Sequence, residues 1–123
     1  MTLLKKPVSF IATANSDKSR HFYEKVLDLQ CLSDDPYALV FALADSTLRI
    51  QKVDSVADVG YTVLGWEVDD IEESVAGLTS KGIKFAKFSQ LPQDDNGIWN
   101  APGGARVAWF KDPDGNTLSL TEP

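Results

Sequence analysis

The chain has 123 residues, one domain's worth, with 12 basic and 18 acidic residues and a formal net charge of −6. A single cysteine (Cys31) excludes an internal disulfide framework, and a single histidine (His21) excludes a multi-histidine metal site. The acidic balance argues against nucleic acid, whose phosphates need a basic face, and no apolar run reaches the ~18 residues of a membrane span. Met1 to Lys6 carries two lysines, but no apolar segment of leader length follows, so a cytoplasmic location is expected.

Val8 to Ala14 reads as a strand, β-branched and aromatic, entered through Pro7. Asn15-Ser16-Asp17 can cap free backbone N–H groups and opens a helix. From Asp17 to Leu29 the residues Phe22, Tyr23, Val26, Leu27 and Leu29 fall on one stripe, as an amphipathic helix requires. Gln30 to Leu32 is a short strand, broken by Asp34-Asp35-Pro36. Tyr37 to Ala44 is a buried strand, Asp45-Ser46 a turn, and Thr47 to Lys52 the next strand. Val53 to Gly60 reads as a linker.

The plan then starts again. Tyr61 to Val68 is a strand, and Asp69-Asp70 opens a helix with the stripe Ile71, Val75 and Leu78. Lys81-Gly82 ends it, glycine suiting the left-handed stop. Ile83 to Phe88 is expected as a strand, and Leu91 to Gly104 as irregular chain. Ala105 to Phe110 and Thr117 to Thr121 are strands joined by the turn Asp112-Pro113-Asp114-Gly115-Asn116. The helix starts Asp17 and Asp70 lie 53 residues apart, which marks a two-copy repeat.

Two segments carry a family resemblance. Ser16 to Leu27, with its Phe22-Tyr23 pair and Val26-Leu27, is similar to the first helix of the vicinal oxygen chelate superfamily. That superfamily includes glyoxalase I, extradiol dioxygenases, and the fosfomycin- and bleomycin-resistance proteins. Trp109 to Leu118 is similar to the family's final hairpin and is the more specific match. The resemblance implies an α+β fold of two βαβββ modules, about 1–58 and 59–123. Together they would form a curved mixed sheet, a half-barrel, with helices on the outer face. Both segments do structural work, so function rests on the site.

Metal-dependent members of the family hold a divalent ion with inward-pointing His, Gln or Glu side chains. Counting from the motifs, the first position, seven residues before Asp17, is Phe10, and the second, five before Val68, is Val63. A third, seven after Asp112, is Ser119. The fourth, within Thr47 to Lys52, falls to Arg49 or Gln51. Only Gln51 is a ligand of the usual kind, so no metal and no cofactor are expected.

Alternation along the strands gives the expected lining. Val8, Phe10, Ala12 and Ala14 share one face, as do Tyr61, Val63, Gly65 and Glu67. Leu64, Trp66 and Val68 turn toward the helices. Pairing Phe110 with Leu118 and Trp109 with Ser119 puts Trp109, Val107, Ser119 and Thr121 on the cavity side. Trp99, in the long loop, is a candidate lid or a surface-tucked residue. The ligand-binding candidates are therefore Phe10, Arg49, Gln51, Val63, Glu67, Trp99, Trp109 and Ser119. His21 reads as solvated and Cys31 as a small buried hydrophobe.

The expected function is a metal-free small-molecule binder of the glyoxalase/bleomycin-resistance type, taking an aromatic or cationic ligand and able to sequester a toxic or antibiotic compound. The alternative is a metal-dependent lyase or dioxygenase of the same superfamily, with Gln51 and Glu67 as first suspects for a cryptic site. A metal-free enzyme would use Glu67 as general base. The family resemblance implies a homodimer.

Overall fold

A computed structural model describes residues 2–123; Met1, part of the N-terminal segment considered above, lies outside the described residues. The chain divides into two compact units, one through Asp58 and one from Val59. Both are α+β, and both repeat one topology. In the first, β1 (Val8–Thr13), β2 (Cys31–Asp34), β3 (Ala38–Ala42) and β4 (Thr47–Lys52) pair in the order β1-β4-β3-β2. In the second, β5 (Thr62–Glu67), β6 (Trp99–Asn100), β7 (Arg106–Lys111) and β8 (Thr117–Glu122) pair in the order β5-β8-β7-β6. Each first strand lies parallel to the last, and the remaining pairs are antiparallel.

Helix α1 (Ser16–His21) starts where Asn15 Oδ1 accepts from the Lys18 N–H at 3.2 Å. It does not run on as a regular α-helix to Leu29. Phe22–Val26 widens into a π-helical turn, sealed by Leu27 N–H donating to the Phe22 carbonyl at 2.9 Å. The adjacent aromatics Phe22 and Tyr23 are thereby both buried, in edge contact at 5.1 Å. Tyr23 also meets Phe41 of β3 at 5.8 Å. Ile11, Leu39, Phe41, Leu48 and Ile50 fill this core. Cys31 is only half-buried, so the expectation of a buried thiol is corrected: it sits at the start of the edge strand β2.

Helix α2 (Ile71–Ser80) is capped by Asp70, whose Oδ1 accepts from Glu73 N–H at 3.0 Å. Glu122 of β8 accepts from the Ile71 N–H at 3.0 Å, tying the last strand to the helix start. Ile71 and Val75 are buried, as are Ala108, Phe110, Leu118 and Leu120. Asp112 fixes the final turn: one carboxylate oxygen accepts from Asp114 N–H and Asn116 N–H, both at 2.9 Å, and the other from Asn116 Nδ2 at 2.8 Å.

Two expectations in the second unit are corrected. Residues 83–88 form no strand; the β-strand before the closing hairpin is β6, inside the stretch read as irregular. The 83–88 segment reaches the sheet through Ala86 N–H donating to the Trp109 carbonyl at 2.8 Å, while the Gln93 side chain takes up the polar groups of Ala86 and Phe88. A side-chain amide there replaces a neighbouring strand. In the first unit, Ala14 lies beyond β1 and is exposed, outside the alternation expected of it.

Candidate functional site

Each sheet buries one face under its core and leaves the other open. In the first unit, Phe10 stands on the open side of β1 and is 55% exposed, while its neighbour Ile11 is buried. Phe10 lies opposite Arg49, and Ala12 opposite Gln51; Arg49 and Gln51 are both exposed. Val40 of β3 flanks Arg49 on its other side. This face therefore joins a phenyl ring, a guanidinium and an amide.

The second unit's open face is more aromatic. The pairs Phe110–Leu118 and Trp109–Ser119 occur as expected. Phe110 and Leu118 are buried, which leaves Trp109 on the open side, half-buried. Two rows cross the sheet: Gly65, Ser119 and Trp109 in one, Glu67, Thr121, Val107 and Trp99 in the other. Trp99 is not on a loop but in β6, paired with Val107, so its backbone is part of the sheet. Its ring lies 5.9 Å from that of Trp109 at an interplanar angle of 33°. Phe88 stands edge-on to Trp109 at 5.4 Å and 87°. Trp66 shares the core face with Leu120, its partner in register.

Val63 is the extra residue of a β-bulge between Thr62 and Leu64, and it is half-buried. The bulge brings Thr62 into register with Thr117, and Trp109 Nε1 donates to Thr62 Oγ1 at 3.1 Å. Thr62, Phe88 and Gln93 are site residues that alternation alone does not reveal. Next to Ser119 there is no room for a side chain on β5: a Cβ on Gly65 would collide with Ser119 Oγ. Ser119 is buried in the row that ends at Trp109, and no hydrogen bond holds its hydroxyl among the described residues. Glu67, at the end of β5, is exposed.

A metal is poorly served at the positions the resemblance assigns to one. Phe10 and Val63 offer no lone pair. Ser119 offers a neutral hydroxyl, and Arg49 beside Phe10 would repel a cation. Among the described residues no three His, Cys, Asp or Glu side chains converge.

Two four-stranded sheets of matching βαβββ topology, each with an open face, define the class. The chain belongs to the Glyoxalase/Bleomycin resistance protein/Dioxygenase superfamily, whose model matches residues 7–120. Solved structures share the fold. TnmS3, an antibiotic binding protein from Streptomyces sp. CB03234, is 22% identical with a TM-score of 0.74, covering 100% of this chain and 98% of its own. A superfamily member from Sphaerobacter thermophilus DSM 20745 is 25% identical with a TM-score of 0.77, covering 98% of both chains. A lactoylglutathione lyase from Agrobacterium tumefaciens is 16% identical with a TM-score of 0.71, covering 99% of this chain and 95% of its own. No curated protein matches the sequence. No helix among the described residues is long and apolar enough to cross a membrane.

Proposed function

We propose that this chain binds a planar aromatic or cationic small molecule without a metal, and that it sequesters a toxic or antibiotic compound. The observation that carries the reading is the pair of half-buried indoles, Trp99 and Trp109, 5.9 Å apart on the open face of the second sheet. Indole faces favour flat rings and cations. Ser119 supplies a hydrogen-bonding group, and Glu67 a carboxylate for a positively charged substituent. The first unit's open face carries its own aromatic and polar groups, Phe10, Arg49 and Gln51, and its guanidinium favours flat rings there over cations. The net charge of −6 favours the approach of a cation. The antibiotic-binding neighbour shares the fold, which supports an antibiotic as the kind of compound bound. The same reading places the protein in the cytoplasm as a homodimer, with residues 1–58 and 59–123 as its two modules.

Metal analysis of protein purified without chelator, run beside a ligand panel, tests this. The expected outcome is retention of an aromatic compound by protein carrying no stoichiometric divalent ion. A stoichiometric ion held by protein side chains would turn the reading toward a lyase or dioxygenase.

A further inference from the structure

Phe88 and Trp99 flank Trp109 from two separate limbs of one irregular segment, and a single side chain joins those limbs. Gln93 Oε1 accepts from Phe88 N–H at 2.7 Å, while Nε2 donates to the Ala86 carbonyl at 3.0 Å and to the Gly97 carbonyl at 2.8 Å. The amide orientation follows from chemistry: the N–H must meet the oxygen and both carbonyls must meet the nitrogen. Both amide hydrogens are thus used within the protein. Gln93 is also bridged to Trp99 through the backbone.

The rest of the segment closes around this amide. Asp94 Oδ1 accepts from Asn96 and Ile98 N–H groups, each at 2.9 Å, and Ile98 is buried. Gly97, at φ +89°, packs so closely that a Cβ there would lie 3.2 Å from Phe85 Cβ and 3.4 Å from the Ala86 carbonyl oxygen. A side chain at 97 would therefore be strained by the positive φ and would press on Phe85 and Ala86 in the other limb.

We propose that Gln93 is a positioning residue for the aromatic site: its amide sets where Phe88 and Trp99 stand around Trp109. The significance of this role rests on the binding reading above, but its geometry does not. The segment from Ala86 to Trp99 is then a preformed wall, not a lid.

The test needs no ligand. Indoles 5.9 Å apart couple their transitions and give a paired band in circular dichroism. Trp99→Phe and Trp109→Phe should each abolish that band, which assigns it to the pair. Gln93→Leu keeps the volume and removes all three hydrogen bonds, and Gln93→Glu keeps the acceptor but loses both donors. Each variant should lose most of the band while the cooperative unfolding transition persists. Val75→Ala, a core truncation under the opposite face of the sheet, should lower the melting temperature and leave the band intact. If Gln93→Leu does not fold, Gln93→Glu is read by the same criterion. A wild-type band in a folded Gln93 variant overturns the proposal. So does loss of the band in Val75→Ala, because the signal would then follow stability alone. Failure of every compound to bind would defeat the binding reading and leave this result standing.

Discussion

At the scale of single residues, two buried serines differ in what their hydroxyls pack against. Ser19 Oγ in α1 is buried without a hydrogen-bond partner. Burying an unpaired hydroxyl costs about 1–3 kcal/mol, and alanine removes it while improving helix propensity. Ser19→Ala is therefore expected to leave stability unchanged or raise it by about 1 kcal/mol in urea denaturation; a clear loss would show that the hydroxyl has a partner in solution. Ser119, by contrast, lies against Gly65 with no space for a further atom. Gly65→Ala should cost about 1–3 kcal/mol through overpacking. In the double variant with Ser119→Ala, much of that cost should disappear, because the colliding oxygen is gone. Additive losses in that cycle would mean the two residues do not meet.

At the scale of elements, Asp34 joins three pieces of the first unit. Its carboxylate in β2 accepts from Lys52 Nζ of β4 at 2.7 Å and from Arg20 Nη1 of α1 at 3.0 Å. The Lys52 ammonium, aided by the Arg20 guanidinium, holds the Asp34 carboxyl below the usual carboxylate range against a smaller opposing effect of burial. The folded state therefore binds fewer protons than the unfolded state between the two pKa values, and stability rises with pH through that window. Wild type should melt above Asp34→Asn, with a constant gap at pH values well above ~4, the ordinary aspartate value. The gap should shrink as pH falls through the lowered value, and it should also narrow with added salt, since the groups are partly exposed. A gap unchanged across acid pH would remove the ion pairs from the account.

The elements also show what could be read in advance. Asn15 and Asp70 announced both helices, because a capping side chain and a 3.6-residue stripe are local signals. The closing hairpin was legible to the residue, Trp109 opposite Ser119, because the Asp112 turn fixes register. The π-helical turn was not legible, since it arises where two adjacent aromatics both bury against a sheet. Nor was β6. Ile83 to Phe88 has strand-like composition, yet the Gln93 amide, a few residues on and acting through its side chain, occupies backbone groups of Ala86 and Phe88 that a neighbouring strand would need. The bulge at Val63, which carries Thr62 to the Trp109 indole, likewise depends on pairing with β8.

Across the molecule, one topology appears twice and the two copies carry different chemistry on their open faces. The first presents Phe10, Arg49 and Gln51; the second presents Trp99, Trp109 and Glu67, with Ser119 buried in the row of Trp109. The topology follows from periodicity and caps, and the family match follows from the topology and the shared segments. The proposed chemistry follows from residue type at the few strand positions to which the resemblance assigns metal donors, where this chain has phenyl, isopropyl and hydroxyl groups.

The most direct test of that replacement is equilibrium dialysis of chelator-treated protein against a panel of aromatic amines and planar antibiotics. The comparison is between wild type and Trp109→Ala. Wild type should retain at least one compound with no metal present, and Trp109→Ala should bind it at least tenfold more weakly, the equivalent of losing about 1.4 kcal/mol of stacking. Retention that appears only after a divalent cation is restored, or that survives loss of the indole unchanged, would contradict the account.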